Sequence, residues 1–330
     1  MIRKTNLFFL VALIGLGACK KLDTAGNLVP KTADQDASVP SITINGRMLH
    51  SEAFGHPDST MVVCIHGGPS ADYRYMLRAK DLATRGYRVV FYDQLGSGLS
   101  QRFNEDYYDN KNITEIFLDE LKGVINHYKT KPTQKVILFG HSWGAIMATA
   151  YAGKYPNEIS GMAIIEPGGL KWADIIDYVT RSQSTPLWSE MANDVLYQDQ
   201  FISTQKNNHE VLDYKLTLLA SHGNPNTQET LTGKDGFWRF GSVINIVSYN
   251  YGEKYKPDMG EGIQNYSKRV LFIYGGAGKV YTDAWAQKIS SVYINKEIFK
   301  VAGVGHAGML DSIPWNAITL PKLLTYFNSL

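Results

Sequence analysis

The chain has 330 residues, of which 44% are hydrophobic and 19% charged, and its formal net charge is +2. This is an ordinary globular composition in a chain long enough for a large core. The near balance of charge excludes the basic surface typical of nucleic-acid binding, so no nucleic-acid partner is expected. The sequence has no cluster of Cys, His and carboxylate residues with metal-site spacing and no Walker-type phosphate loop, so it indicates neither a metal nor a cofactor.

The first residues, MIRKTNLFFLVALIGLGAC, have the pattern of an export signal. Arg3 and Lys4 precede an apolar run, Leu7 to Leu16, that is too short for a comfortable transmembrane helix. The end of this segment, LGAC, resembles a bacterial lipobox, and that resemblance implies cleavage before Cys19 and lipidation of this cysteine. A simple cleaved signal or a short anchor helix is the alternative.

With residues 1–18 as a lipoprotein signal peptide, the mature protein is expected to be exported and anchored to a bacterial membrane, on the periplasmic or cell-surface side. Residues 19–40 are polar and contain two prolines, which is typical of a tether. Two of the 33 basic residues lie in the signal, which leaves 31 against 31 acidic residues. Membrane attachment is therefore expected through the N-terminal lipid and not through a basic patch.

Apolar strands and amphipathic helices alternate along the rest of the chain. Two short strands, SITIN and RMLHSEAF, meet at Asn45-Gly46, a hairpin turn signal. Later strands are predicted, in chain order, in the segments TMVVCIH, YRVVFYD, KVILFG, GMAIIE, RVLFIYGG and EIFKVAG. Helices are predicted at Asp72–Arg85, Ile113–Lys129, Ser142–Gly153 and near Asp283–Ser291, and in a final amphipathic segment that ends near Phe327.

This alternation predicts an α/β fold, with a mostly parallel sheet covered by helices on both faces and an antiparallel hairpin at one edge. The alternation of strands and helices stops over residues 168–266, a segment too long to be a structureless loop. Helix-like runs such as WADIIDYV and EVLDYKLTLLASH lie within it. The sequence therefore predicts a core of residues 41–167 and 267–330 with a helical cap inserted at 168–266.

The pentapeptide Gly140-His141-Ser142-Trp143-Gly144 is the candidate catalytic motif. It follows the strand VILF and precedes an alanine-rich helix, which is the context of a sharp strand-to-helix turn that exposes a serine hydroxyl. Such a turn requires very small residues two positions before and after the serine. Ser142 is therefore the candidate nucleophile, and a plain tight turn is the alternative.

Three motifs in order resemble the α/β-hydrolase family, in its proline-iminopeptidase-like, S33-like branch: HGGP (His66–Pro69), DQLGSG (Asp93–Gly98) and GHSWGA (Gly140–Ala145). The resemblance extends from about Ile42 to the C-terminus and is weak in the cap. It implies an α/β-hydrolase fold and a serine hydrolase, but it is much less specific for a substrate.

His306 is the candidate base, because it lies in the glycine-rich loop VAGVGHAGML after the last strand, where the family has its histidine. An exposed loop histidine is the alternative reading. The oxyanion of the tetrahedral intermediate is expected to bind two backbone amides. One belongs to Trp143, which follows the nucleophile, and the other to Gly68 in the loop after CIH. Asp93 is better explained as a turn-forming residue than as a catalyst.

A serine nucleophile and a histidine base need a carboxylate as the third member of a catalytic triad, and here the sequence departs from the family pattern. Alignment on the strand VLFIYGG places Gly278 where the family has its aspartate. Three explanations remain: Glu166, which ends the strand AIIE at the same edge as Ser142; Asp283, five residues beyond Gly278; or no acid at all. Glu166 is favoured, because some α/β-hydrolases take their acid from that strand end; a salt bridge to the cap is its alternative role.

The leading hypothesis is a membrane-anchored serine hydrolase that cleaves an ester or amide of a small molecule or short peptide through an acyl-enzyme. A proline-iminopeptidase-type aminopeptidase is the first alternative. The cap segment KDGFWRFGS offers Arg239 beside Trp238 but no paired glutamates to bind a free amine, and Glu190 and Asp194 lack a supporting motif. A non-catalytic ligand-binding lipoprotein is the second alternative.

Overall fold

The computed structural model describes residues 29–183, 208–221, 226–227 and 236–330. Cys19, the signal segment and the cap candidates Glu190 and Asp194 lie outside these ranges. Within the described ranges, eight strands form one sheet: β1 (Ser41–Ile44), β2 (Arg47–Phe54), β3 (Met61–Ile65), β4 (Arg88–Tyr92), β5 (Val136–His141), β6 (Gly161–Ile165), β7 (Val270–Gly275) and β8 (Lys296–Val301).

The strand order is β1-β2-β4-β3-β5-β6-β7-β8. The β1–β2 and β2–β4 pairs are antiparallel and all the others are parallel, as the sequence predicts. The central strands are continuous apolar runs because both of their faces are covered. Along β3, for example, Val63 and Ile65 face one half of the core while Val62 and Cys64 face the other.

The register brings the candidate site residues to one edge. His141 at the end of β5 is paired with Ile165 at the end of β6, and Ile165 is paired with Ile273 of β7. The residues that follow the first two, Ser142 and Glu166, therefore emerge side by side at the carboxyl edge of the sheet. Binding sites of open parallel sheets are found at this edge.

Seven α-helices of the described ranges accompany the sheet: α1 (Ile113–Tyr128), α2 (Trp143–Lys154), α3 (Trp172–Ser182), α4 (Asn208–Ala220), α5 (Ser242–Tyr255), α6 (Asp283–Ser290) and α7 (Leu320–Phe327). The segment Arg74–Arg85 is a 3₁₀ helix, and shorter 3₁₀ turns occupy Glu105–Tyr108, Ile263–Asn265 and Gly308–Leu310. A short α turn, Ser312–Pro314, and a π-helical stretch, Trp315–Thr319, lead into α7.

Helices α3, α4 and α5 lie between β6 and β7, where the helical cap is predicted. A buried ion cluster ties this part of the chain to the core: Asp213 of α4 accepts hydrogen bonds from Nε of Arg102 and from Nε of Arg239, both at 2.8 Å. Arg102 also donates to carbonyl oxygens of the Asp93–Gly98 motif, including Gly98 at 2.7 Å. The cluster therefore fixes α4 above the loop that follows β4.

Residues 29–36 pack onto the domain instead of forming part of the predicted tether. Val29, Thr32 and Ala33 are buried. The amide of Ala33 donates to the carbonyl of Leu99 at 2.8 Å, and the carbonyl of Pro30 accepts from Nη1 of Arg239 at 2.9 Å. The folded domain thus begins before residue 41. Within the described ranges, no helix has the length and apolar character needed to cross a membrane.

Candidate active site

Ser142 stands at the turn between β5 and α2 with φ 53° and ψ −117°, a conformation that L-residues rarely adopt. The two flanking glycines explain how the turn is possible. A Cβ on Gly140 would lie 2.4 Å from the carbonyl oxygen of Gly144, and a Cβ on Gly144 would lie 1.9 Å from that of Ile65. Because Ser142 is not helical, α2 begins at Trp143, one residue later than the sequence predicts.

Glu166 and His306 are in direct contact. Oε2 of Glu166 lies 2.7 Å from Nδ1 of His306, and Oε1 accepts a hydrogen bond from the amide of Gly275 at 2.6 Å. Glu166 is only 2% exposed, whereas the His306 side chain keeps 14% exposure. A buried carboxylate that binds Nδ1–H fixes the imidazole tautomer and leaves Nε2 as the basic nitrogen.

Tyr178 of the cap helix α3 is a third partner of this pair that sequence reasoning missed. Its hydroxyl lies 3.1 Å from Nδ1 of His306. The Tyr178 ring also covers Gly168, where an added Cβ would lie 2.7 Å from a ring carbon. The tyrosine has helical spacing with apolar neighbours, so the sequence alone indicates a packing residue. The contact joins α3, in the predicted cap segment, directly to the candidate base.

Asp283, the second acid candidate, is held elsewhere. It begins α6, where it accepts hydrogen bonds from Nζ of Lys300 at 2.6 Å and from the hydroxyl of Tyr274 at 3.1 Å. Its side chain is 68% exposed. The hydrogen bond from Lys300 holds the pKa of the carboxyl below its usual value. Among the described residues, an added Cβ on Gly278 would meet its nearest neighbour, the carbonyl oxygen of Thr227, only at 3.5 Å.

The loop after β3 approaches the nucleophile. A Cβ on Gly67 would lie 3.1 Å from Cβ of Ser142, so the backbone of this loop passes directly over the serine. The amide of Gly67 donates to the hydroxyl of Tyr75 at 2.7 Å. The amide of the next residue, Gly68, has no hydrogen-bond acceptor in the described part of the chain. Its φ of 122° and the 2.1 Å from an added Cβ to the amide of Ser70 require glycine there.

The amide of Trp143 is the other predicted oxyanion donor. It is the first helical residue of α2, and the first amides of a helix lack an intrahelical acceptor. Its indole is held in place by a hydrogen bond from Nε1 to Oε1 of Gln94 at 3.2 Å. The N-terminus of a helix favours negative charge beside it, as an oxyanion donor requires.

Two motif residues organise these loops. Buried His66 contacts the carbonyl of Gly67 through Nδ1 at 2.7 Å and accepts from the amide of Gln94 through Nε2 at 3.0 Å. Burial lowers the pKa of His66, which keeps it in this neutral tautomer. Asp93 accepts from the amides of Tyr73 and Leu99 at 2.9 and 2.8 Å. These contacts give both residues a structural function in the loops.

Arg239, weighed from the sequence as a cap residue, is buried at 1% exposure and paired with Asp213. In the described ranges, no group of three or more His, Cys, Asp or Glu side chains could hold a metal ion. Cys64 is buried inside β3, and this burial raises the pKa of its thiol, as expected for an unreactive core cysteine.

Comparison with known proteins agrees with this architecture. Proline iminopeptidases of Saccharolobus solfataricus and Thermoplasma volcanium are both 34% identical to the chain, over 105 and 113 residues. These alignments cover 31% and 34% of this chain and 32% and 36% of the relatives. The chain thus spans about a third of the length of these curated relatives.

Solved structures are similar over most of the chain. A proline iminopeptidase of Mycobacterium smegmatis has a TM-score of 0.53 and a thermophilic esterase of Thermogutta terrifontis one of 0.55. Each is 17% identical, and the alignments cover 87% of this chain and 97% of each of those chains. At this identity the likeness shows the fold alone, and it confirms the predicted α/β-hydrolase fold.

A family model described as "Serine aminopeptidase, S33" matches residues 56–232, more than half of the chain. The matched segment contains HGGP, DQLGSG and GHSWGA, the motifs on which the sequence resemblance depends. The chain therefore belongs to the serine aminopeptidase S33 family of α/β-hydrolases.

Proposed function

We propose that this protein is a serine hydrolase that cleaves an ester or amide bond through an acyl-enzyme, with Ser142 as nucleophile, His306 as general base and Glu166 as the acid of the triad. The observation that carries the proposal is the 2.7 Å contact between Glu166 and Nδ1 of His306. It turns a loop histidine into an oriented base at the sheet edge where the strained Ser142 turn presents its hydroxyl.

Acylation follows from this arrangement. Oγ of Ser142 attacks the substrate carbonyl carbon while its proton passes to Nε2 of His306. The Glu166 carboxylate stabilises the imidazolium that forms, and the amides of Gly68 and Trp143 bind the oxyanion. His306 then gives its proton to the leaving alcohol or amine as the bond to the carbonyl carbon breaks.

Deacylation repeats the same steps with water. His306 takes a proton from water as its oxygen attacks the acyl carbon, and the ester bond to Oγ breaks with return of the proton to Ser142. The free acid leaves and the enzyme is regenerated without any cofactor. We expect the substrate to be a small molecule or a short peptide, since Tyr178 of α3 lies against His306 and limits the space beside the base.

A proline-iminopeptidase-type aminopeptidase is the first alternative. It is supported by the family description and by the names of the two relatives cited above. Such an enzyme needs a carboxylate to bind the substrate amine. The most buried carboxylate of the described cap segment, Asp213, is paired with Arg102 and Arg239 and does not serve as that group. The other two candidates, Glu190 and Asp194, lie outside the described residues.

The location of the protein is part of the proposal. Cleavage before Cys19 and lipidation of Cys19 would anchor the enzyme to a bacterial membrane and confine it to exported substrates. Metabolic labelling with an alkyne fatty acid tests this point. Label should appear in the wild type and disappear in Cys19→Ala; equal labelling of both would rule out Cys19 as the lipid site.

A fluorophosphonate probe tests the enzyme against the second alternative, a non-catalytic ligand-binding lipoprotein. The wild type should be labelled at Ser142, as located by peptide mass spectrometry, and Ser142→Ala should not. A panel of acyl nitrophenols, lactones and aminoacyl naphthylamides, including proline, then separates esterase from aminopeptidase. A wild type that neither labels nor hydrolyses any member would reject the catalytic proposal.

A further inference from the structure

We propose that Tyr75 and His141 are positioning residues that join the oxyanion loop to the loop of His306, so that the two loops move as one unit. The inference rests on the proposed function, because it explains how that site keeps its geometry. It arises from four consecutive groups: the amide of Gly67, the hydroxyl of Tyr75, the ring of His141 and the carbonyl of His306.

The contacts are short and continuous. The amide of Gly67 donates to the Tyr75 hydroxyl at 2.7 Å, and this hydroxyl lies 2.8 Å from Nδ1 of His141. Nε2 of His141 lies 2.9 Å from the carbonyl oxygen of His306. The rings of His141 and His306 are also close, with centroids 4.6 Å apart. One side chain from each of two other elements thus bridges the two functional loops.

The direction of each hydrogen bond is fixed by chemistry. A carbonyl oxygen can only accept, so Nε2 of His141 carries the proton. In the neutral ring Nδ1 is then an acceptor, and the hydroxyl of Tyr75 donates to it while accepting from Gly67. Tyr75 can meet both demands at once because a phenol is both donor and acceptor.

This series of hydrogen bonds requires a neutral His141. Burial, together with the positive charge that His306 can carry, lowers the pKa of His141 well below its usual value. A protonated ring would have a hydrogen on Nδ1 and could not accept from Tyr75. His141 is 3% exposed and Tyr75 is 5% exposed, so water does not compete freely for these groups.

This series of hydrogen bonds has two consequences for the site. It occupies the amide of Gly67 and leaves the amide of Gly68 to face the oxyanion. It also holds the backbone of residue 306, next to the ring that must reach Ser142. A displacement of about 1 Å at a reacting group can cost about 100-fold in rate, so anchoring both loops to one scaffold has catalytic value.

Four variants test the inference. Tyr75→Phe removes the hydroxyl and keeps the ring, and His141→Leu removes both nitrogens. His141→Gln is the conservative variant, because its amide N–H can donate to the carbonyl of His306. Tyr87→Phe is the matched control, since Tyr87 is also buried and donates one hydrogen bond, to Asn328 at 2.7 Å, but precedes β4 at the opposite edge of the sheet.

The measurements are kcat and KM on the best substrate of the panel, the rate of fluorophosphonate labelling, and the melting temperature. Tyr75→Phe and His141→Leu should each lower kcat and labelling rate by about 10- to 100-fold with KM within about two-fold. His141→Gln should retain more activity than His141→Leu, and Tyr87→Phe should match the wild type.

The double variant Tyr75→Phe/His141→Leu decides whether the two residues act together. If they form one chain, it should lose about as much kcat as the worse single variant, because the first change already breaks the link. Three results would each overturn the inference. They are a fold-loss of kcat in the double variant equal to the product of the two single losses, a loss in KM instead of kcat, and a wild-type kcat in Tyr75→Phe. If the wild type itself fails to label, the proposed function falls and this inference with it; normal labelling of both wild type and Tyr75→Phe rejects the inference alone.

Discussion

Oε2 of Glu166 lies 2.7 Å from Nδ1 of His306, although the two residues are 140 positions apart in the chain. The sheet topology explains how they meet. Ile165 of β6 is paired with Ile273 of β7, so the ends of these strands are neighbours at one edge. A carboxylate that follows either strand can reach the loop of His306. In this protein the carboxylate is Glu166, directly after β6, while Gly278 occupies the position after β7 where the family has its aspartate.

Gly278→Asp should therefore restore activity to a variant that lacks Glu166. Position 278 and the amide of His306 both border the carbonyl of Thr227, which accepts from His306 at 3.0 Å. Glu166→Ala should be nearly inactive, and Glu166→Ala/Gly278→Asp should recover at least about 10-fold in kcat, because the carboxylate again stabilises the imidazolium.

The matched control for this rescue is Glu166→Ala/Gly278→Asn, which adds a side chain of the same size without charge. Equal kcat values for the Asp and Asn double variants would show that charge at position 278 does not reach His306.

Gly275→Ala should damage both stability and catalysis. An added Cβ would lie 2.4 Å from the carbonyl oxygen of Val304 and 3.1 Å from Oε1 of Glu166. Overpacking of this kind costs about 1–3 kcal/mol, and here it pushes on the acid and on the loop that carries His306. We expect a lower melting temperature and at least about a 10-fold lower kcat, whereas Gly278→Ala, whose methyl group would meet no described atom closer than 3.5 Å, should behave as the wild type. Unchanged kcat in Gly275→Ala would mean that the loop tolerates displacement.

The sequence predicts most of the fold, because strands such as β3 and β6 are short apolar runs between glycine-rich turns and helices such as α1 have clear 3.6-residue periodicity. It also predicts Glu166 as the triad acid, since a carboxylate ends a buried strand while Gly278 stands where the family has its aspartate; the structure shows the contact with His306, and the catalytic role stays a prediction. These are local signals that need only the strand order to become a site.

Other parts of the site have no local signal. Tyr75 and His141 are 66 positions apart, and Tyr178 is 128 positions from His306, so their hydrogen bonds exist only after the chain has folded. The docking of Pro30 depends likewise on the position of Arg239. In the sequence, Tyr75, Tyr178 and Pro30 have the ordinary spacing of core or loop residues, and pattern analysis therefore gives them no function.

Glu120→Gln should change how stability depends on pH. Glu120 of α1 is 1% exposed and accepts from the amide of Leu95 through both oxygens, at 3.1 and 3.2 Å. Burial raises the pKa of its carboxyl from 4.5 to about 8. Between those two values the unfolded chain releases a proton that the folded protein retains, so the wild type loses stability as the pH rises through this window.

The glutamine variant keeps the shape and an acceptor for Leu95 but cannot ionise. Relative to the wild type it should gain on the order of 1–4 kcal/mol in free energy of unfolding between pH 5 and pH 8, since one pKa unit corresponds to about 1.4 kcal/mol. Urea denaturation at both pH values measures this, with exposed Asp119→Asn as the control. A constant difference between Glu120→Gln and the wild type at the two pH values would contradict the raised pKa.

The central claim is that Glu166 orients His306, and kcat of Glu166→Gln compared with Asp283→Asn tests it most directly. The glutamine keeps the shape of the acid but cannot stabilise the imidazolium, so kcat should fall about 100- to 10,000-fold with little change in melting temperature. Asp283→Asn, which loses an exposed contact with Lys300, should keep kcat within about two-fold. A large loss in Asp283→Asn together with normal turnover in Glu166→Gln would contradict the account.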